Sequence, residues 1–429
     1  MLSKFLNSFF YKKENQEENN YTNYIIIGAS AAGINAAKTL RKLDQNAKIT
    51  VISRDENIYS RCMLHHVISD HRTVEEINFV DENFMVENNI SWLKNITVEN
   101  IDTENKVIDT NKGSLSYGKL LIATGASASK PPIENIDKGN YIYYLRNIDD
   151  VYKIKERAKD CKKVAIIGAG LTALDALMGL LELKNVEVSL LYRKKYFLNK
   201  QLDYYSAKTY ENKFIEAGAK LYPSQTFEKI ILHDNNDIKG IKLGSGDIVE
   251  CDMLIVATGV KPNIDFVKNT PIETEKGVLI NDKCETNVKD VYAAGDVVGK
   301  NSIWPLAVKQ GIVAAYNMIG IDKECDDHFI LRNSMNFFEI PTVSLGTIIP
   351  VDDTYDVITR CDREGYKKFV IKDDIIRGFI AQGDISYTGP IAYLIKHKVR
   401  IPNLKERVFD LGYADFFSMK ENGEFQYNV

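Results

Sequence analysis

Residues 24–40 read YIIIGASAAGINAAKTL, and the fold turns on that stretch. Tyr24 to Ile27 form a short apolar run of the buried-strand type, glycines and small residues follow, and from Ile34 the apolar spacing becomes helical. Gly28 permits a tight turn, and Gly33 lets a helix pack close against the strand. Ser30 stands where the middle glycine of a GxGxxG loop would admit a pyrophosphate. Together with Ala31 and Ala32 it is small enough to leave the amide N–H groups of a helix N-terminus open to phosphate. The next strand, KITVIS (48–53), follows at the expected interval. The acid that usually closes such a strand is replaced by Ser53, with Arg54, Asp55 and Glu56 just beyond.

The pattern recurs. KKVAIIGAGLTALDALMGLL (162–181) carries Gly168 and Gly170, with Ala173 in the third glycine position and Leu171 and Thr172 opening the helix. Its following strand is VEVSLLYR (186–193). Two strand–loop–helix cradles in one chain point to two dinucleotide sites. One site plus a glycine-rich turn is the plain alternative, but both copies have the full strand–turn–helix context. The second cradle's strand ends in Leu191-Tyr192-Arg193-Lys194-Lys195 with no acid. An acid there would bind a ribose 2′-OH and an arginine a 2′-phosphate, so NADPH is favoured over NADH. A basic, solvated turn is the other reading.

The 429 residues suggest about three domains. Hydrophobic content of 45%, charged content of 27% and a net charge of −4 give ample core and no general attraction to nucleic acid. Six scattered cysteines without CxxC spacing fit a reducing cytoplasm. No apolar run reaches transmembrane length. Residues 1–20 read as an N-terminal extension, either flexible or a short amphipathic helix. NKQLDYYSAK (199–208) reads as an exposed polar helix.

Three further segments complete a recognisable order: YGKLLIATGAS (117–127), CDMLIVATGVKPN (251–263) and TNVKDVYAAGDVVG (286–299). From Tyr24 to about Gly320 the chain resembles the two-dinucleotide-binding-domain flavoproteins, the FAD-dependent pyridine nucleotide oxidoreductases. The resemblance implies that the first cradle holds the FAD pyrophosphate and the second NAD(P)H. It implies that Asp296, after Gly295, meets the FAD ribityl chain and that the backbone of Val98 meets the adenine. Ala123, Thr124 and Gly125 would close over FAD, with Gly259 ending the second Ala-Thr-Gly, and Asp175 would lie close to flavin and nicotinamide. SLLYRKKYFL (189–198) resembles the NADPH-selective stretch of glutathione reductases, with Asn199 in place of its second arginine. The implied fold class is α/β: two Rossmann-like domains plus a small α+β C-terminal domain. The FAD domain would comprise 21–140 and 264–326, the NAD(P)H domain 141–263, and the C-terminal domain, a candidate homodimer interface, 327–429.

YSRCMLHH (59–66) decides the chemistry beyond the flavin. A thiolate is the reactive form of cysteine, and Arg61, His65 and His66 would favour it at Cys62 if they face it. Disulfide reductases of this family place two cysteines four residues apart here, and this chain has one. Coenzyme A disulfide reductases and NADH oxidases have one cysteine followed by Gly-Leu-Pro, from which Met63 and His65 depart. The segment also resembles rubredoxin reductases and the NAD(P)H-binding part of nitrite reductases, which carry Tyr-x-Arg and need no cysteine. In that reading Arg61 faces the flavin side. The region from FFEIPTVSLGT (337–347) onward resembles the same group's C-terminal domain. The leading reading is an FAD-dependent NAD(P)H oxidoreductase, a cytoplasmic electron-transfer flavoprotein. It passes electrons to a separate acceptor, a small iron protein of rubredoxin or ferredoxin type or a small molecule. The alternative is a single-cysteine thiol or disulfide reductase, or an NADH oxidase, using Cys62. A flavin-bearing scaffold without turnover is a third reading. Cys62, His65, His66 and His71 are not expected to hold a metal, because adjacent helical histidines point in different directions.

Overall fold

The computed structural model describes residues 21–325, 332–412 and 417–427; the expected N-terminal extension lies outside them. The chain forms two compact units. The first is drawn from the described parts of Met1–Pro131, Tyr144–Lys155 and Gly259–Asp326, the second from those of Pro132–Tyr143, Glu156–Thr258 and Asp327–Val429.

In the first unit, the strand Tyr21–Ile27 lies between Ile49–Ile52 and Gly113–Ile122, parallel to both. Ile90–Leu93 extends one side and the short strand Val291–Ala293 also pairs in parallel with Gly113–Ile122. The hairpin strands Val98–Asp102 and Val107–Thr110 complete a seven-stranded sheet. Parallel strands need a crossover, and the helix Ala31–Leu43 supplies the first. That helix begins three residues before the expected Ile34, because Gly28 completes the turn at φ +118° and Ser30 takes the N-cap. Its buried alanines pack against the helix Trp304–Met318. A Cβ on Gly311 would lie 2.1 Å from the Ala32 carbonyl oxygen, so the two helices meet where glycine removes the side chain.

In the second unit, Lys163–Ile167 is flanked in parallel by Glu187–Leu191 and Met253–Val256, and the helix Leu171–Glu182 follows the second cradle. The C-terminal region is a five-stranded antiparallel sheet covered by Thr388–His397. The helix Tyr204–Glu216 is not the exposed polar helix that its sequence suggested. Ser206, Ala207, Tyr210 and Phe214 form a buried stripe. Phe214 packs edge-on to Phe338 at 4.8 Å between centroids and meets Phe337 at 5.6 Å. The Tyr210 hydroxyl donates to Ile340 O at 2.6 Å and lies 2.7 Å from Thr342 Oγ1. Asp203 caps the helix, accepts from the Tyr366 hydroxyl at 2.6 Å and lies 3.2 Å from Lys368 Nζ. Asp203 of that stretch and Tyr210 beyond it thus anchor the antiparallel sheet within this unit.

Candidate cofactor sites

The two cradles are built by the same steric rule. A Cβ on Gly28 would lie 2.1 Å from the Ala123 carbonyl oxygen, and one on Gly33 would lie 1.9 Å from that of Gly28. At the second cradle a Cβ on Gly168 would lie 2.3 Å from the Ala257 carbonyl oxygen. Gly170 faces open space, with nothing within 4 Å of an added Cβ. In the first cradle the corresponding position is filled by Ser30. Both loops lead into helix N-termini whose first-turn amides, at Ala31, Ala32 and Gly33 and at Leu171 and Thr172, have no intrahelical partner and suit phosphate.

Arg61 lies at the first cradle. Its Nη1 donates to Ser30 Oγ at 3.2 Å, and its Nη2 pairs with Asp55 Oδ2 at 2.6 Å and reaches Asn147 Oδ1 at 3.3 Å. The guanidinium is therefore set against the phosphate loop and committed to a carboxylate. The Ser53 hydroxyl is also occupied: it donates to Asp55 O at 2.7 Å and accepts from Trp92 Nε1 at 2.9 Å. Arg54 is exposed, and Val98 is buried at the start of its strand. Ala123, Thr124 and Gly125 are stapled by a residue with no role in the sequence reading, Asn263. It donates through Nδ2 to Thr124 O at 2.9 Å and accepts at its carbonyl from Thr124 Oγ1 at 3.0 Å. Gly125 takes φ +66° and Gly259 +115°, and both face open space. Gly295, at φ +81°, donates its amide to the buried Gln310 at 2.8 Å. Asp296 pairs with Arg146 at 2.7 Å. Arg146, Asn263 and Gln310 carry no local motif, so only the folded chain reveals them.

In the second unit, Arg193, Lys194 and Lys195 are exposed just past the strand Glu187–Leu191. They make no ion pair among the described residues. Arg193 lies over the Phe227 ring at 5.8 Å and Lys195 over Tyr204 at 5.6 Å. Leu198 returns to the cradle, donating its amide to Ala169 O at 2.7 Å. Asp175 is half-buried, and desolvation pushes its carboxyl up to about 8.

Cys62 is exposed on the short 3₁₀ turn Arg61–Met63. Two of the three expected activating charges are not available to it. Arg61 is turned to Asp55 and Ser30, and burial, reinforced by His66, pulls His65 down to about 4, so that imidazole is neutral at physiological pH. The histidines do not diverge as expected. On the one-turn helix Leu64–Ile68 the His65 and His66 rings lie 4.0 Å apart, and His71 lies 6.4 Å from His66. No three His, Cys, Asp or Glu side chains among the described residues converge as a metal site.

Residues 22–311 match the model of the pyridine nucleotide-disulphide oxidoreductase family. The chain belongs to this family. Residues 332–399 match the rubredoxin NAD+ reductase C-terminal domain. NADH-rubredoxin oxidoreductase of Clostridium acetobutylicum is 30% identical over 85% of this chain and 92% of its own length. Its crystal structure superposes with a TM-score of 0.76, covering 91% of this chain and all of that one. The epsilon subunit of NADH-dependent phenylglyoxylate dehydrogenase from Aromatoleum evansii is 28% identical over 90% of this chain and 94% of its own length. This pyridine nucleotide oxidoreductase is thus a flavoprotein enzyme that uses FAD and NAD(P)H, and its cradles fit those cofactors. No helix among the described residues is long and apolar enough to cross a membrane.

Proposed function

We propose that the first cradle holds FAD, the second binds NAD(P)H, and the electrons leave to a separate small iron protein of the rubredoxin or ferredoxin type. FAD, when bound, supplies the conversion of a two-electron hydride donor into single electrons for such an acceptor. The protein's part is to bind and orient. The cradle amides and Arg61 meet the FAD phosphates, Asp296 takes a ribityl hydroxyl, and Gly168, Gly170, Leu171 and Thr172 receive the nicotinamide nucleotide. Arg193 and Lys194, two cations without a carboxylate partner among the described residues, favour the 2′-phosphate of NADPH. The single observation that carries the acceptor assignment is the matched C-terminal domain joined to a Cys62 turn without a second cysteine. The six cysteines, none of them in a disulfide among the described residues, suit a reducing cytoplasm, and the antiparallel sheet is the candidate surface for a homodimer.

The test offers the purified holoprotein NADPH or NADH together with either a one-iron Cys₄ protein or coenzyme A disulfide. Reduction of the iron, retained in Cys62→Ser, is the expected result. Turnover of the disulfide alone, abolished by Cys62→Ser, would replace this reading with a single-cysteine reductase.

A further inference from the structure

Cys62 is not the only cysteine that the fold sets in a distinctive place. In the first unit Cys284 and Cys325, far apart in sequence, are both buried in the apolar cluster that includes Ala314, Ala315 and Met318 of the helix Trp304–Met318. Neither is in a disulfide. The short segments that carry them are bonded side by side. The Cys325 amide donates to Asp282 O at 2.7 Å, and Lys283 pairs with Asp322 at 2.5 Å. Asn317 Nδ2 donates to Lys283 O at 3.1 Å and to Lys323 O at 2.7 Å, bolting one segment to the other. Between Asn281 and Cys284 the chain turns, closed by a 3.0 Å bond from the Cys284 amide to Asn281 O, and Cys284 takes φ +62°. That left-handed conformation favours glycine, so a cysteine is held there at a cost in strain. Burial, and after it the neighbouring Cys325, push the Cys284 thiol up, which puts the two sulfurs within electrostatic reach of each other.

We propose that Cys284 and Cys325 form a modification site, a dithiol that hydrogen peroxide converts to a disulfide. The bond ties the turn before the strand Val291–Ala293 to the chain beyond the helix Trp304–Met318. Cys325 attacks one peroxide oxygen, the O–O bond breaks, and a sulfenic acid and one water form. The Cys284 sulfur then displaces hydroxide from that sulfenic sulfur, the S–S bond forms, and the hydroxide leaves with the Cys284 proton as a second water. Two thiols thus give up two electrons, and peroxide accepts them. Cys325 is oxidised first because residues 321–324 beside it are exposed, whereas Cys284 lies wholly inside the cluster. Buried thiols react slowly, so the bond forms under sustained peroxide and not in the resting protein. The loop it closes contains Gly295, Asp296 and the helix that packs on Ala31–Leu43. Closing that loop restricts the unfolded chain and so stabilises the side of the unit that carries the first cradle.

The test treats the purified holoprotein with hydrogen peroxide, alkylates it under denaturing conditions and maps its peptides by mass spectrometry without reductant. A peptide pair joined through Cys284 and Cys325, and separated by dithiothreitol, is the expected result. The thermal midpoint of the oxidised protein should rise by about 5 °C or more, return with dithiothreitol, and show no such rise in Cys325→Ser. Alkylated Cys284 and Cys325 at a peroxide dose that has already oxidised the exposed Cys62 and Cys361 would overturn the proposal. So would a bond from either cysteine to a different partner, or a joined pair whose midpoint is unchanged. If Cys325→Ser does not fold, the peptide map and the midpoint of the natural chain still decide.

Discussion

The two cradles share a plan but treat their ligands differently. In the first, Ser30 fills the middle position, Arg61 is braced on it, Asn263 staples the adjoining loop, and Gly33 is needed for the close helix–strand approach. In the second, Gly170 is open, Ala173 replaces the third glycine, and three cations stand exposed without carboxylate partners among the described residues. Enclosure with many internal bonds suits a resident group, and an open loop with free charge suits a nucleotide that exchanges. On the proposed assignment, the difference is that between a cofactor kept through turnover and a co-substrate that must leave.

The largest effect comes from removing either turn. Gly28→Ala forces a Cβ against the Ala123 carbonyl at φ +118° and should yield flavin-free or insoluble protein, read from the absorbance of the purified material. Gly168→Ala meets Ala257 in the same way but should keep its flavin and lose reduction by NAD(P)H. Equal flavin loss in both would erase the comparison. Next, Arg193→Glu should raise KM for NADPH by ten- to a hundredfold, about 1.4–2.7 kcal/mol, and leave NADH within about threefold. An equal change for both nucleotides would remove the 2′-phosphate role. Tyr210→Phe deletes a buried hydroxyl bonded to Ile340 and Thr342 and should lower stability by about 1–2 kcal/mol in denaturant titration, without altering KM.

A smaller effect concerns Asp175. Its folded carboxyl lies near 8 against 3.8 in the unfolded chain, so protonation favours the folded state. Its contribution is fully present below about pH 4 and is lost as pH rises through 8. Asp175→Asn should therefore flatten the fall in thermal midpoint across that window, and an unchanged pH profile would contradict the shift. The smallest effect is expected from Cys62→Ser, within about twofold in turnover with an iron-protein acceptor.

Legibility in the sequence followed the range of the contacts. Gly28 and Gly33 were readable because the strand, turn and helix that demand them are adjacent in the chain. The basic end of the strand Glu187–Leu191 was readable for the same reason. Arg146 was not, since its partners Ala126 and Asp296 lie far along the chain in opposite directions. The helix Tyr204–Glu216 misled because its buried stripe is made of Ser206, Ala207, Tyr210 and Phe214, only one of which is strongly apolar. Its partners, Phe337, Ile340 and Thr342, belong to a later sheet. Cys62 drew attention through neighbours in sequence, but the folded chain turns Arg61 to Asp55 and leaves His65 neutral.

The most direct test of the account is an anaerobic titration of the holoprotein with NADPH, followed at the flavin absorbance band. Bleaching complete at one reductant per flavin, without a long-wavelength thiolate band, is the predicted result. A requirement for two reductants per flavin, or the appearance of that band, would place Cys62 in the electron path and contradict it.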